Sequence, residues 1–159
     1  MLKCMERIFD LFLGLPVHVL INHLVIVFVP LFSVAFILIV FFEKLRSNYS
    51  TITNIGLVAA FVSSFIAKQS GEALSLRVGY PTNHAWWGER LVIVSAFLLL
   101  LALIWTKLKD KKSFISKLLG YVGILFALAA IAISILAGHS GASASWGYKI
   151  NPTNSTSTP

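Results

Sequence analysis

The run Val17-His18-Val19-Leu20-Ile21-Asn22-His23-Leu24-Val25-Ile26-Val27-Phe28-Val29-Pro30-Leu31-Phe32-Ser33-Val34-Ala35-Phe36-Ile37-Leu38-Ile39-Val40-Phe41-Phe42 decides the fold. It contains no Asp, Glu, Lys or Arg and stops at Glu43-Lys44-Leu45-Arg46. A helix rises about 1.5 Å per residue, so roughly 20 apolar residues cross about 30 Å of hydrocarbon. This run is long enough. Three more apolar stretches follow, giving expected spans of about 17–42, 51–70, 84–106 and 116–141. Composition agrees: 57% of the 159 residues are hydrophobic and 12% charged, with a mean hydropathy of +0.85. A soluble domain carries about 25% charged residues, and a chain this small buries only part of its apolar surface. A soluble domain, a disordered chain and a disulfide scaffold are therefore excluded. The lone Cys4 excludes an internal disulfide. The expected fold is an all-α membrane protein, a four-helix transmembrane up-down bundle over residues 16–147 with short links.

The flanks read differently. Residues 1–15 place Met5, Ile8, Phe9 and Phe12 on one helical face and Lys3, Glu6, Arg7 and Asp10 on the other, which predicts an N-terminal interfacial amphipathic helix stopped by Gly14-Leu15-Pro16. Residues 148–159, polar and rich in Thr and Ser, predict a disordered tail. The formal charge of +7 reflects basic loops beside anionic headgroups, and the partner is the lipid bilayer, with no nucleic acid. Lys44, Arg46, Lys107, Lys109, Lys111, Lys112 and Lys117 crowd two short links, against Lys3, Arg7, Lys68, Arg77 and Lys149 on the other side. The denser side should be cytoplasmic, so both termini are expected outside the plasma membrane.

Helices in lipid pack where small side chains let backbones approach. Such seams are written at Gly56, Ala60, Ser63, Ala67 and Ser70, and at Gly88, Ser95 and Ala102. The last helix carries two, Gly120, Ala127, Ser134, Gly141 and Gly123, Ala130, Ala137, Ala144. Trp86, Trp87, Trp146, Tyr80 and Tyr148 read as an aromatic belt at the outer edge, with Trp105 its inner counterpart.

Alternating threading sends His18, His23, His84 and His139 to one membrane face, with Ser70, Glu72, Glu89 and Arg90 at that level. Ionisable groups at such depth are costly and are functional or mutually paired. Neutral imidazoles from separate helices can ligate haem iron or a divalent metal. Arg77, Arg90 or Lys68 could meet haem propionates, and Gly88 leaves room for a flat ring. Each histidine could equally cap a helix end or bond Glu72 or Glu89.

Three stretches carry a resemblance: Pro16-Val17-His18-Val19-Leu20-Ile21-Asn22-His23 running into Val29-Pro30-Leu31, then Ser70-Gly71-Glu72 with His84 downstream, and Gly138-His139-Ser140-Gly141-Ala142 with Trp146-Gly147. Together they resemble small four-span bacterial membrane proteins of an unknown-function family, especially its actinobacterial type. That family opens on Pro-x-His-x-Leu-x-x-His and closes on Gly-x-Ser-Gly-Ala. Members stand fused to or beside Rieske and cytochrome c modules, so the resemblance implies a link to membrane electron transfer. Val19 stands where many relatives carry Pro, and His139 where many carry an acidic residue. The resemblance therefore favours His23 with His84 as the axial pair, with His18 or His139 as alternatives.

Three readings follow. The first is a b-type haem near the outer leaflet, with Glu72, Glu89, Arg90, Arg77 and Ser70 supporting the ligands. The second is a His-rich zinc or copper site. The third is a cofactor-free accessory subunit of a larger membrane redox complex. No nucleophile–base pair is visible, which disfavours an enzyme in its own right.

Overall fold

The computed structural model describes residues 9–111 and 113–150. Four helices follow one another: α1 (Val17–Phe41), α2 (Glu43–Val78), α3 (Thr82–Leu108) and α4 (Phe114–Ile150). All four are long and apolar enough to cross a membrane. They pack on one another as an up-down bundle, α1 chiefly on α2 and α3 chiefly on α4, with lesser seams between α1 and α4 and between α2 and α3. The protein is an all-α four-helix integral membrane bundle. Single-residue and three-residue links turn the chain at Phe42 and at Gly79–Pro81. Gly79 ends α2 at φ 90°, where its N–H still reaches Ser75 O at 2.9 Å; only glycine adopts that backbone freely.

The helices outrun the expected spans, since α2 has 36 residues and α4 has 37. At about 1.5 Å per residue both exceed the hydrocarbon thickness. The tail expected from 148 is helical through Ile150, and the remainder of it lies outside the described residues. The N-terminal expectation is also amended. Residues 1–8 lie outside the described residues, and Phe9 and Asp10 are helical, but Leu11–Phe12 (β1) pairs antiparallel with Leu15–Pro16 (β2). Leu13 and Gly14 have φ of 50° and 81°, which makes the two-residue turn a tight hairpin needs.

The small-residue seams are the buried faces. Gly56, Ala60, Ser63, Ala67 and Ser70 are buried along α2, and Gly120, Gly123, Ala127, Ala130, Ser134 and Ala137 along α4. A Cβ on Gly56 would lie 2.1 Å from the Phe32 ring, and one on Gly123 would lie 2.6 Å from Phe36. Those glycines are the notches that admit the bulky side chains of α1. Trp105 is 2% exposed and packs edge-on against Phe36 with centroids 5.5 Å apart, so it belongs to the core and not to an interfacial belt. Arg46 lies 5.4 Å over its ring.

Burial exposes an internal repeat. Moving α1 forward 66 positions puts the buried Val25, Val29, Phe36 and Ile39 on the buried Leu91, Ser95, Ala102 and Trp105. Moving α2 forward 70 positions puts the buried Ser50, Thr53, Leu57, Ala60, Ser64, Ala67 and Ser70 on Gly120, Gly123, Ala127, Ala130, Ser134, Ala137 and Ser140, all buried. The α1–α2 and α3–α4 hairpins are thus two parallel copies of one unit, of the kind related by an axis along the membrane normal.

Candidate functional site

The repeat brings one histidine from each copy to the same end of the bundle. His18 and His84 occupy equivalent positions, and their rings meet edge-on with centroids 5.8 Å apart. Each is held by the second helix of its own hairpin. His18 Nδ1–H donates to Ala67 O at 2.8 Å, and His84 Nδ1–H donates to Ala137 O at 3.0 Å. Ser70 Oγ donates to the same Ala67 carbonyl at 3.1 Å, and Ser140 Oγ to the same Ala137 carbonyl at 3.0 Å. One turn on, Gly71 and Gly141 give the rings space, since a Cβ at either would come within 3.0 Å of the imidazole. A ligating histidine characteristically donates its other ring N–H to a backbone carbonyl, which fixes tautomer and orientation. Both rings are set in that manner.

The rings border a cavity of about 1030 Å³ lined mostly by apolar atoms of all four helices. Its α3–α4 wall is open because Gly88 and Gly138 line it and a Cβ at either would meet nothing within 4 Å. The first hairpin has Asn22 and Lys68 at the matching positions, and both reach the same cavity. Glu72 and Glu89 also border it, and Lys68 Nζ sits 2.5 Å from Glu72 Oε1 as a partly exposed pair.

His23 lines the same cavity but is exposed, and its Nδ1–H donates to Val19 O of its own helix at 2.9 Å; the ring facing His84 edge-on is that of His18. His139 is exposed and shares with His84 a second, smaller cleft beside Trp87 and Tyr80. Arg77 grips Asp10 through Nε at 2.8 Å and Nη2 at 2.5 Å. Its hydrogen bonds hold the Asp10 carboxyl below its ordinary pKa. Arg90 lies 3.2 Å over the Trp86 ring and bonds Trp86 O at 3.1 Å. Neither arginine lines the cavity; among the described residues Lys68 is the Lys or Arg that does, paired there with Glu72. Among the described residues no three His, Cys, Asp or Glu side chains come together as a metal-ion site.

Sequence reasoning missed Asn22 as a partner of His18, and Gly71 and Gly141 as the supports of the rings. The signal was present: Ser64-Phe65-Ile66-Ala67-Lys68-Gln69-Ser70-Gly71 and Ser134-Ile135-Leu136-Ala137-Gly138-His139-Ser140-Gly141 share Ser, Ala, Ser and Gly in the same register.

A family model covers residues 14–154, hence both hairpins and both histidines. The chain belongs to the DUF2231 family. That family is described as "Predicted membrane protein", in agreement with the four apolar helices. Comparison of this DUF2231 chain with curated proteins and with solved structures found no match.

Proposed function

We propose that this DUF2231 protein holds a b-type haem at the outer end of its bundle and serves in membrane electron transfer, with His84 as the residue that would ligate it and His18 beside it. The observation that carries the reading is the paired tether: two imidazoles from different helices, 5.8 Å apart, each with Nδ1–H on a helix carbonyl. That arrangement makes Nδ1 the donor nitrogen of each ring and leaves Nε2 on the side away from the tether. The residues fit a flat apolar ring: the cavity is large, and Gly88 and Gly138 leave its wall clear. Lys68 supplies a cation at its edge for a carboxylate. A bound haem would supply one-electron chemistry, while the chain orients it, excludes bulk water with apolar helix faces and sets its polarity.

The test is an absorbance spectrum of the full chain purified from membranes supplied with haem. A Soret band is expected, lost in His84→Ala and retained in His23→Ala. A wild-type protein with no Soret band overturns the proposal. If bundle assembly and a partner complex then survive His18→Ala and His84→Ala unchanged, the cofactor-free accessory reading takes its place.

A further inference from the structure

The two hairpins agree at the histidine, its carbonyl, the serine and the glycine, and part company one turn further along the first helix. Asn22 of α1 stands where α3 has Gly88. Asn22 Nδ2 donates to His18 Nε2 at 2.9 Å, so both ring nitrogens of His18 are engaged. At Gly88 no side chain exists to do the same, and His84 Nε2 has no hydrogen-bond partner among the described residues. It is not enclosed either, since the buried polar atoms without a partner are Ser33 Oγ and Ser95 Oγ.

We infer that Asn22 makes the histidine pair unequal: it occupies His18 Nε2, so that a haem in this cavity would be ligated by His84 alone and would keep one axial position open. The inference rests on the haem reading above and gives it a coordination state. For His18 to become a second axial ligand, its Nε2 must lose the Asn22 hydrogen bond and leave that amide without its partner beside an apolar cavity, which is unfavourable. His84 meets no such obstacle, because Gly88 carries no side chain to engage its Nε2 as Asn22 engages that of His18. Asn22 is a positioning residue, acting through His18.

The experiment compares wild type, Asn22→Ala and Asn22→Ala/His18→Ala, each purified with haem. Wild type is expected to be high-spin when ferric and to bind carbon monoxide readily when ferrous. Asn22→Ala is expected to turn low-spin as His18 takes the sixth position, with carbon monoxide binding slowed roughly tenfold or more, because a ligand must now leave. The double variant should return to the wild-type spectrum, a rescue that a merely structural role of Asn22 would not produce. In the haem-free protein, the nitrogen-15 resonance of His18 Nε2 should move in Asn22→Ala while that of His84 stays. A low-spin wild type, or an Asn22→Ala that stays high-spin, overturns this inference and leaves the haem reading standing. Absence of a Soret band in wild type overturns both.

Discussion

The two ends of the bundle are built on opposite plans. At the basic end the space between helices is filled: Trp105 and Phe36 stack edge-on, Gly120 and Gly123 receive them, and Arg46 lies over the indole. Arg46 also donates to Ile39 O at 3.1 Å and Val40 O at 2.6 Å, satisfying carbonyls that the end of α1 leaves open. Asn54 Nδ2 joins Thr106 Oγ1 at 3.1 Å across α2 and α3. At the histidine end the same helices border a cavity of about 1030 Å³, and at three of its lining glycines, Gly79, Gly88 and Gly138, an added Cβ would touch nothing within 4 Å. The difference teaches that glycine does two jobs in one sequence. Where a ring enters the notch, it is packing; where none does, it is room.

Breaking the filled end should have the largest effect. Trp105→Ala is expected to cost about 3–5 kcal/mol, the usual loss for emptying a large buried aromatic site, measured by chemical denaturation in detergent. Gly56→Val comes next: its Cβ would fall on the Phe32 ring, at a cost of about 1–3 kcal/mol in the same measurement. Ser95→Ala removes a buried hydroxyl without a partner and should be neutral or stabilising by up to about 1 kcal/mol. Gly88→Ala at the hollow end should not destabilise and should add about 0.5–1 kcal/mol through helix propensity, whereas Gly88→Leu should abolish the Soret band while leaving the melting curve in place. A destabilising Gly88→Ala would contradict the contrast between filled and open notches.

The smallest effect concerns pH. Asp10 is held below its ordinary pKa by Arg77, so this pair contributes above the ordinary carboxylate value, and the contribution is lost as pH falls through the lowered one. Melting temperatures of wild type and Arg77→Gln should therefore differ slightly at about pH 6 and draw together as the pH falls below the ordinary carboxylate value. A gap that widens on acidification would contradict that sign. Because the pair is exposed, salt should shrink the difference.

Most of the fold was legible because lipid leaves few choices: an apolar run without charge must be a helix, and its small residues mark the side where backbones meet. The seam of α2 reads directly off Gly56, Ala60, Ser63, Ala67 and Ser70. The site was only half legible. His84 shares a face with Ser95 and Ala102, so its inward direction showed in the sequence. In α1 nearly every side chain is apolar, so no polar stripe separates the buried face from the lipid face. The buried set Val25, Val29 and Phe36, continued backward at heptad spacing, passes through His18 and Asn22 and leaves His23 about 100° off. That spacing was hidden until burial was known. The hairpin at Leu11–Pro16 was hidden for another reason, since helix periodicity in a short segment does not register a turn set by two positive φ angles.

The unequal lengths of the helices have a consequence for access. The first helix of each hairpin starts at the level of its histidine, but α2 runs 11 residues past Ala67 and α4 runs 13 past Ala137. These extensions rise about 16 and 20 Å, and Leu74, Ser75, Val78, Ala144, Ser145 and Tyr148 on them line the hollow. The imidazoles therefore stand between two tall banks, and the hollow continues past them to Val25, Ser64, Leu91 and Ser134. Whatever reaches these rings must first fit between those banks.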